Sequence, residues 1–387
     1  MIVTALLGMP GSGKTTAAEH LMLMGVPVYR LGSIVVAEVE TRSLPLTPEN
    51  EAIVRMELRE KFGSTFMASS AIEWVNNLSE SILVVLDGVY SLAEYDRLAV
   101  EYGHHFKVLA VVSDREVRRS RLVNRKDRPL SQTEATNRDR HELEHLHKGD
   151  PIALADHYLL NNIAKTDFLS DLVKSMTRLL PGPSSQSEKV LTLSEPALIS
   201  HLQEQLLEMQ EPWTTSLLIH RALNTDSSYL TWHVCKTLGS QAIARSAEFL
   251  RWVGSRPDIE FENTSLHRVA AWALGEIGAS QAAPLRRMLI EGSSSARAFA
   301  ADALGQLKDT EAVPLLAKSL TEDDWNVALW AALSLSKIRD HAAVDAIYAA
   351  IRNEDGTRRY LAFDALVKID RAAASAILVE LGEDIAV

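Results

Sequence analysis

The chain has 387 residues, 47% hydrophobic and 24% charged, which allows two or three globular domains and excludes a disordered, fibrous or collagen-like sequence. Its single cysteine, Cys235, rules out an internal disulfide framework and suits a reducing interior, where it reads as a small buried helix residue rather than a nucleophile. Up to Leu180 there are 21 Lys/Arg and 24 Asp/Glu, so −8 of the net −11 falls on the rest of the chain and nucleic acid is an unfavoured partner there.

An apolar run, Ile2-Val3-Thr4-Ala5-Leu6-Leu7, leads into Gly8-Met9-Pro10-Gly11-Ser12-Gly13-Lys14-Thr15-Thr16 and then into a helical pattern. Strand, GxxxxGK[ST] loop and helix in that order form a phosphate-binding loop. Backbone N–H groups of Gly8, Gly11, Ser12, Gly13 and Thr16 would cradle a phosphate at the positive end of a helix dipole, Lys14 would reach the β- and γ-phosphates, and Thr15 would ligate Mg²⁺. ATP and Mg²⁺ are the cofactors this pattern predicts. The apolar N-terminus is too short for a signal peptide and lacks a basic leader, and no apolar segment has the length that spans a bilayer. The expectation is a cytoplasmic protein with no membrane contact.

Short apolar runs alternate with helical stretches up to Leu180, the mark of a parallel α/β sheet. Strands are predicted at 2–7, 26–30, 81–86, 106–112 and 157–160, and helices include 49–62, 66–78 and 115–125. Ile82-Leu83-Val84-Val85-Leu86-Asp87 ends in a carboxylate, as a Walker B strand does, which places Asp87 near Mg²⁺, directly or through water. Next come seven cations within fourteen residues, Arg115, Arg118, Arg119, Arg121, Arg125, Lys126 and Arg128, followed by Arg138 and Arg140. Phosphoryl transfer needs mobile positive charge over the transferring group, and Arg121 and Arg125 stand one helical turn apart. A solvated helix face is the competing reading, because Asp114, Glu116 and Asp127 are interspersed. His141-Glu142-Leu143-Glu144-His145 fits the HExxH zinc pattern, but no third ligand stands out apart from His147 and scattered carboxylates.

Pro181-Gly182-Pro183-Ser184-Ser185-Gln186-Ser187 breaks the periodicity and reads as a linker, giving a first domain over 1–180, a linker over 181–189 and a helical domain over 190–387. No strand pattern follows, but a repeat does. Ala271-Trp272-Ala273-Leu274-Gly275, Ala301-Asp302-Ala303-Leu304-Gly305, Ala332-Leu333-Ser334-Leu335-Ser336 and Phe363-Asp364-Ala365-Leu366-Val367 place equivalent leucines 30, 31 and 31 residues apart. Small residues beside Leu and Ile at helical spacing describe helix pairs that bury their faces only by stacking. The pattern resembles the short HEAT-like repeats also found in phycobilin lyases, over about 266–382. Trp232, Trp272, Trp325 and Trp330 are read as inter-repeat packing in preference to interface anchors.

Residues 1–180 resemble nucleoside monophosphate kinase-type P-loop proteins, and most closely a dephospho-CoA-kinase-like family common in archaea. The resemblance rests on GMPGSGKTT at 8–16, LPLTPEN at 44–50, ELREKFG at 57–63, LDGVYSLAE at 86–94, RDR at 138–140 and ADHYLLNN at 155–162. It implies a five-stranded parallel sheet with helices on both faces. It also implies Arg121 and Arg125 as lid arginines, Arg138 on the lid's return helix, and Asn161 and Asn162 at the start of the loop beside the nucleotide base. It accounts for Glu142 without zinc. The chain departs from the family on the acceptor side: Leu31-Gly32-Ser33-Ile34-Val35-Val36 replaces an MGDVVR-like segment, and Tyr90 stands where an arginine is usual. Either the acceptor differs from a nucleoside monophosphate or transfer to a small molecule has been lost. The expected function is an ATP-dependent phosphotransferase with a HEAT-like scaffold. The alternative is an ATP-binding switch whose repeats grip a protein partner. A polynucleotide 5′-kinase is disfavoured by the acidic C-terminal half.

Overall fold

The structure, a computed structural model, describes all residues except 79, 80, 90, 126–128, 145, 146, 181, 183, 205–210, 262, 263, 322, 323, 354, 355 and 382–387. They form two compact units, Met1–Lys189 with Pro212–Leu217, and Val190–Glu211 with Leu218–Val387.

In the first unit, β1 (Ile2–Leu7) is buried along its whole length, as a strand covered on both faces must be. After α1 (Lys14–Leu23) come β2 (Val28–Arg30), α2 (Ser33–Thr41), α3 (Pro48–Phe62), α4 (Phe66–Asn76), β3 (Leu83–Asp87) and α5 (Leu92–Tyr102). The rest of the unit is β4 (Phe106–Val112), α6 (Arg115–Asn124), α7 (Gln132–Glu144), α8 (Gly149–Ala153), β5 (His157–Leu160) and α9 (Lys165–Leu179). The strands are parallel, in the order β2-β3-β1-β4-β5, the α/β kinase-like fold expected. β2 starts two residues later than its apolar run. Val26 donates its N–H back to Leu21 at the end of α1 (3.0 Å), and Pro27 has no N–H to give a ladder. β1 lies between β3 and β4, so the crevice beyond the carboxyl ends of β1 and β3 is the place for a ligand. Register places Leu6 opposite Asp87, which sets the start of the glycine loop beside that carboxylate.

The blocks that carried the resemblance are where elements are tied together. Thr47 caps α3, accepting from the Asn50 N–H (3.3 Å), and Pro48 occupies the first turn. Ser91 caps α5 in the same way, and the fully buried Glu94 takes Arg59 from α3 at 3.2 Å. Asp156 accepts the Val108 N–H at 2.7 Å, fixing the entry to β5.

α10 (Ser185–Thr192) begins inside the stretch expected to be a linker. The serines that look like loop composition cap and bury it: the Ser187 N–H donates to Ser184 Oγ (3.1 Å), and Ser187 Oγ, wholly buried, bonds Thr214 Oγ1 (2.9 Å). α11 (Glu195–Gln203) and α12 (Pro212–Leu223) follow. The start of α12 belongs to the first unit, where buried Trp213 donates its indole N–H to Thr177 Oγ1 at 3.1 Å.

The second unit continues with α13 (Ser228–Ser240) and α14 (Ala247–Gly254), then an antiparallel pair of two-residue strands, β6 (Glu260–Phe261) and β7 (Thr264–Ser265), which no periodicity announced. Next are α15 (Leu266–Ile277), α16 (Ala282–Glu291), α17 (Ser294–Leu307), α18 (Val313–Ser319), α19 (Trp325–Ile338), α20 (Val344–Asn353), α21 (Gly356–Ile369) and α22 (Arg371–Leu381). α13, α15, α17, α19 and α21 stack in succession, and α14, α16, α18 and α20 pack against α15, α17, α19 and α21 in turn. Leu274, Leu304, Leu335 and Leu366 are all buried. The stack is close: a Cβ on Gly305 would fall 2.6 Å from Ser334 Cβ.

Candidate nucleotide-binding site

The loop between β1 and α1 holds a conformation that side chains would block. Gly11 and Gly13 have φ of 78° and 101°, in the region open to glycine. A Cβ on Gly11 would meet the Arg118 carbonyl oxygen at 2.5 Å, and one on Gly13 would meet Asn161 Nδ2 at 2.0 Å. The loop is braced from behind. The Ser12 carbonyl accepts from Asn161 Nδ2 (2.7 Å) and Ser113 Oγ (3.1 Å), and the Pro10 carbonyl accepts from Arg118 (3.0 Å). Arg121 donates to Ser113 Oγ and Asn161 Oδ1, both at 3.2 Å. Carbonyls held on one side present amides on the other. α1 starts with no side-chain cap, so its first N–H groups are open to an anion. Ser12 Oγ is buried with no partner among the described residues, an orphaned donor beside those amides.

Across the crevice, Lys14 Nζ sits 3.0 Å from Asp87 Oδ1, and Arg30 Nε lies 3.7 Å from Oδ2. Asp87 is buried, whereas Thr15 is exposed and Thr16 half-buried in the first turn of α1. Hydroxyl, carboxylate and ammonium at the end of an amide nest suit a phosphate chain and a hard divalent cation.

α6 and α7 carry the arginine run. Arg118 is buried and makes a bidentate pair with Asp139 (2.7 and 3.1 Å) while holding Pro10, so α7 is tied to the loop. Arg125 closes the end of α6. Arg138 is exposed, its Nε 3.9 Å from Glu142 Oε1. Glu142 Oε2 lies 2.5 Å from Lys148 Nζ, both groups buried. Burial pushes the Lys148 ammonium below its usual range, Glu142 opposes that, and Lys14 adds to it. This pairing gives Glu142 a role without zinc. His145 lies outside the described residues, among which no group of three His, Cys, Asp or Glu could hold a metal.

The structure thus brings residues 8–16, Asp87, Arg121 and Asn161 together. Asn161 spends its amide on the loop, and Asn162 Oδ1 accepts the Asp114 N–H at the start of α6 (3.0 Å). Of the positions where the chain departs from the family it resembles, Ser33 opens α2 and donates its hydroxyl to the Arg30 carbonyl (2.7 Å), and Val36 is half-buried on α2; Tyr90 lies outside the described residues. The sequence reading passed over Arg118, Asp139, Lys148 and Arg30 as individual residues. The first two stood in the arginine run and the RDR block, and only its place at the end of β2 marks Arg30.

The AAA-domain family matches residues 7–139, and the HEAT-repeat family matches 259–336 and 285–367. The UPF0200 protein of Pyrococcus horikoshii is 33% identical over 183 residues, covering 46% of this chain and 98% of that one. A UPF0200/UPF0201 protein of Archaeoglobus fulgidus is 36% identical over 204 residues, 49% and 63% of the two chains. Among solved structures, shikimate kinase from Bacteroides thetaiotaomicron aligns with 46% of this chain and 97% of its own at 16% identity and a TM-score of 0.33. Sheet order and loop define the first half as a P-loop kinase-like domain. The chain belongs to the UPF0200 family, and it carries HEAT repeats in addition.

Proposed function

We propose that the first unit binds ATP with Mg²⁺ and acts as a phosphotransferase whose acceptor is not an ordinary nucleoside monophosphate. The observation that carries this reading is the Lys14–Asp87 pair, 3.0 Å apart, which joins the first residue of α1 to the last residue of β3 beside the braced loop. In this reading the amides of residues 11–16 and Lys14 hold the phosphates, and Thr15 and Asp87 hold Mg²⁺. ATP with Mg²⁺ supplies a phosphoryl group whose developing charge the site must neutralise. Lys14 does so from the loop, with Arg125 just past α6 and Arg138 on α7 to reinforce it, whereas Arg121, expected with them, holds Ser113 and Asn161 behind the loop. An arginine–phosphate contact contributes about 1.5–3 kcal/mol. Val36 and Tyr90, standing where arginines are usual in the family resembled, therefore weigh against AMP, CMP, UMP, GMP and dephospho-CoA as acceptors. That same replacement favours the second reading, an ATP-driven switch whose repeats hold a protein partner without small-molecule phosphorylation.

An ADP-release assay with each of those five acceptors, and with none, separates the readings. Slow hydrolysis alone supports the switch, and turnover at about 1–100 per second with any of the five would restore an ordinary nucleotide or coenzyme-precursor kinase. Lys14→Ala should remove most ATP affinity by calorimetry. Unchanged binding would discard the site.

A further inference from the structure

The repeat unit contains a cleft that the nucleotide site does not use. α13, α15, α17 and α19 bound two adjoining hollows of about 380 and 710 Å³ that share Thr264, Arg268, Asp302 and Trp330. Trp232, Trp272 and Trp330 line the smaller one, and none of the three is fully buried. They were expected as packing between repeats, but they leave ring surface open to the cleft.

The charges around these rings are unbalanced. Lys337 is neutralised by Asp302 at 2.8 Å. Among the described residues Lys236 and Arg268, both exposed, have aromatic partners alone: Lys236 Nζ lies 5.2 Å from the Trp232 ring centre, and the Arg268 guanidinium lies 5.9 Å from that of Trp330. No described carboxylate pairs with either. Trp232 Nε1–H also lacks an acceptor among the described residues. Two cations with no ion pair among the described residues, laid on indoles in a hollow where three cations meet the single carboxylate Asp302, contribute little to folding. Such an arrangement is complementary to carboxylates and carbonyl oxygens.

We propose that this cleft binds an extended acidic peptide segment of a partner protein. Its carboxylates would pair with Lys236 and Arg268, and an apolar side chain would lie on Trp272 and Trp330. Asp258, Glu260 and Asp324 line the larger hollow, so the acidic stretch is short and is followed by neutral or basic residues. A cleft between stacked helix pairs is suited to such a ligand. The inference rests on the reading that the repeats bind protein, and it names the chemistry they recognise.

The test is selection of a random ten-residue peptide display library on the full-length protein, followed by fluorescence anisotropy of the enriched peptides. Enriched sequences should carry neighbouring Asp or Glu beside an apolar residue. Lys236→Glu and Arg268→Glu should each weaken them by roughly tenfold or more, and Lys236→Gln and Arg268→Gln by less. The Gln variants serve if charge reversal upsets folding. Enrichment without acidic residues, equal binding to the variants, or no enrichment would overturn the proposal. ATP titration of the same proteins separates the two sites: the cleft variants should bind ATP as the parent does, and failure of ATP binding in the parent would fall on the nucleotide reading alone.

Discussion

Asn161 is the residue whose surroundings most change its reading. The resemblance implied a place beside the base, yet its Nδ2 is 2.7 Å from the Ser12 carbonyl and its Oδ1 accepts from Arg121. A brace and a base contact give different signatures. If Asn161 shapes the loop, Asn161→Ala should lower affinity for ATP, GTP and CTP by one common factor of roughly ten, the value of one or two lost hydrogen bonds. A change confined to ATP in calorimetric titrations would return the residue to the base. Its amide could not be read as a brace beforehand, because Ser12 and Asn161 are 149 positions apart and no local spacing links them. Lys14 was legible because its whole context is local: strand, loop and helix are contiguous. Glu142 shows the same limit in reverse: the HExxH pattern was set aside, but the ion pair that occupies the residue could not be read locally. Its HExxH setting is local, and its actual partner Lys148 sits beyond the motif.

Among the elements, the repeat helices were the easiest to read, because each unit restates the pattern and Leu274, Leu304, Leu335 and Leu366 stay in phase. The strands were legible to within two residues, β2 being shortened where Pro27 cannot donate. α10 was missed because serine supplies both loop composition and helix caps. α12 carries a pH-dependent load. Burial, helped by Arg221, pushes His220 from 6.5 down to about 4. Above pH 6.5 it is neutral folded or unfolded. Between 6.5 and 4 the unfolded chain takes up a proton that the folded one refuses, so stability falls as the pH falls through that window, by roughly 1–3 kcal/mol. Urea unfolding at pH 7 and pH 4.5 should show a smaller drop for His220→Gln than for the parent. Equal drops would mean that His220 does not contribute.

For the whole molecule, the sequence placed a division near residues 181–189, and two compact units are present, but their membership is not a single cut. Trp213 and its neighbours in Pro212–Leu217 belong with the first unit, which no linker composition reveals. We therefore expect a fragment ending at 180 to melt roughly 6–20 °C below one ending at 223, since losing a buried tryptophan costs about 3–5 kcal/mol. Equal melting by circular dichroism would support a boundary at 180. The bracing of residues 10–12 by Arg118, Arg121 and Asn161 has a meaning for timing as well. A loop already shaped when a nucleotide arrives loses little freedom on capture, and nothing in that brace distinguishes two phosphates from three. If the site binds nucleotide as proposed, any preference for three phosphates over two comes from Lys14 and not from the brace, and release of the product would help to set the pace of a cycle.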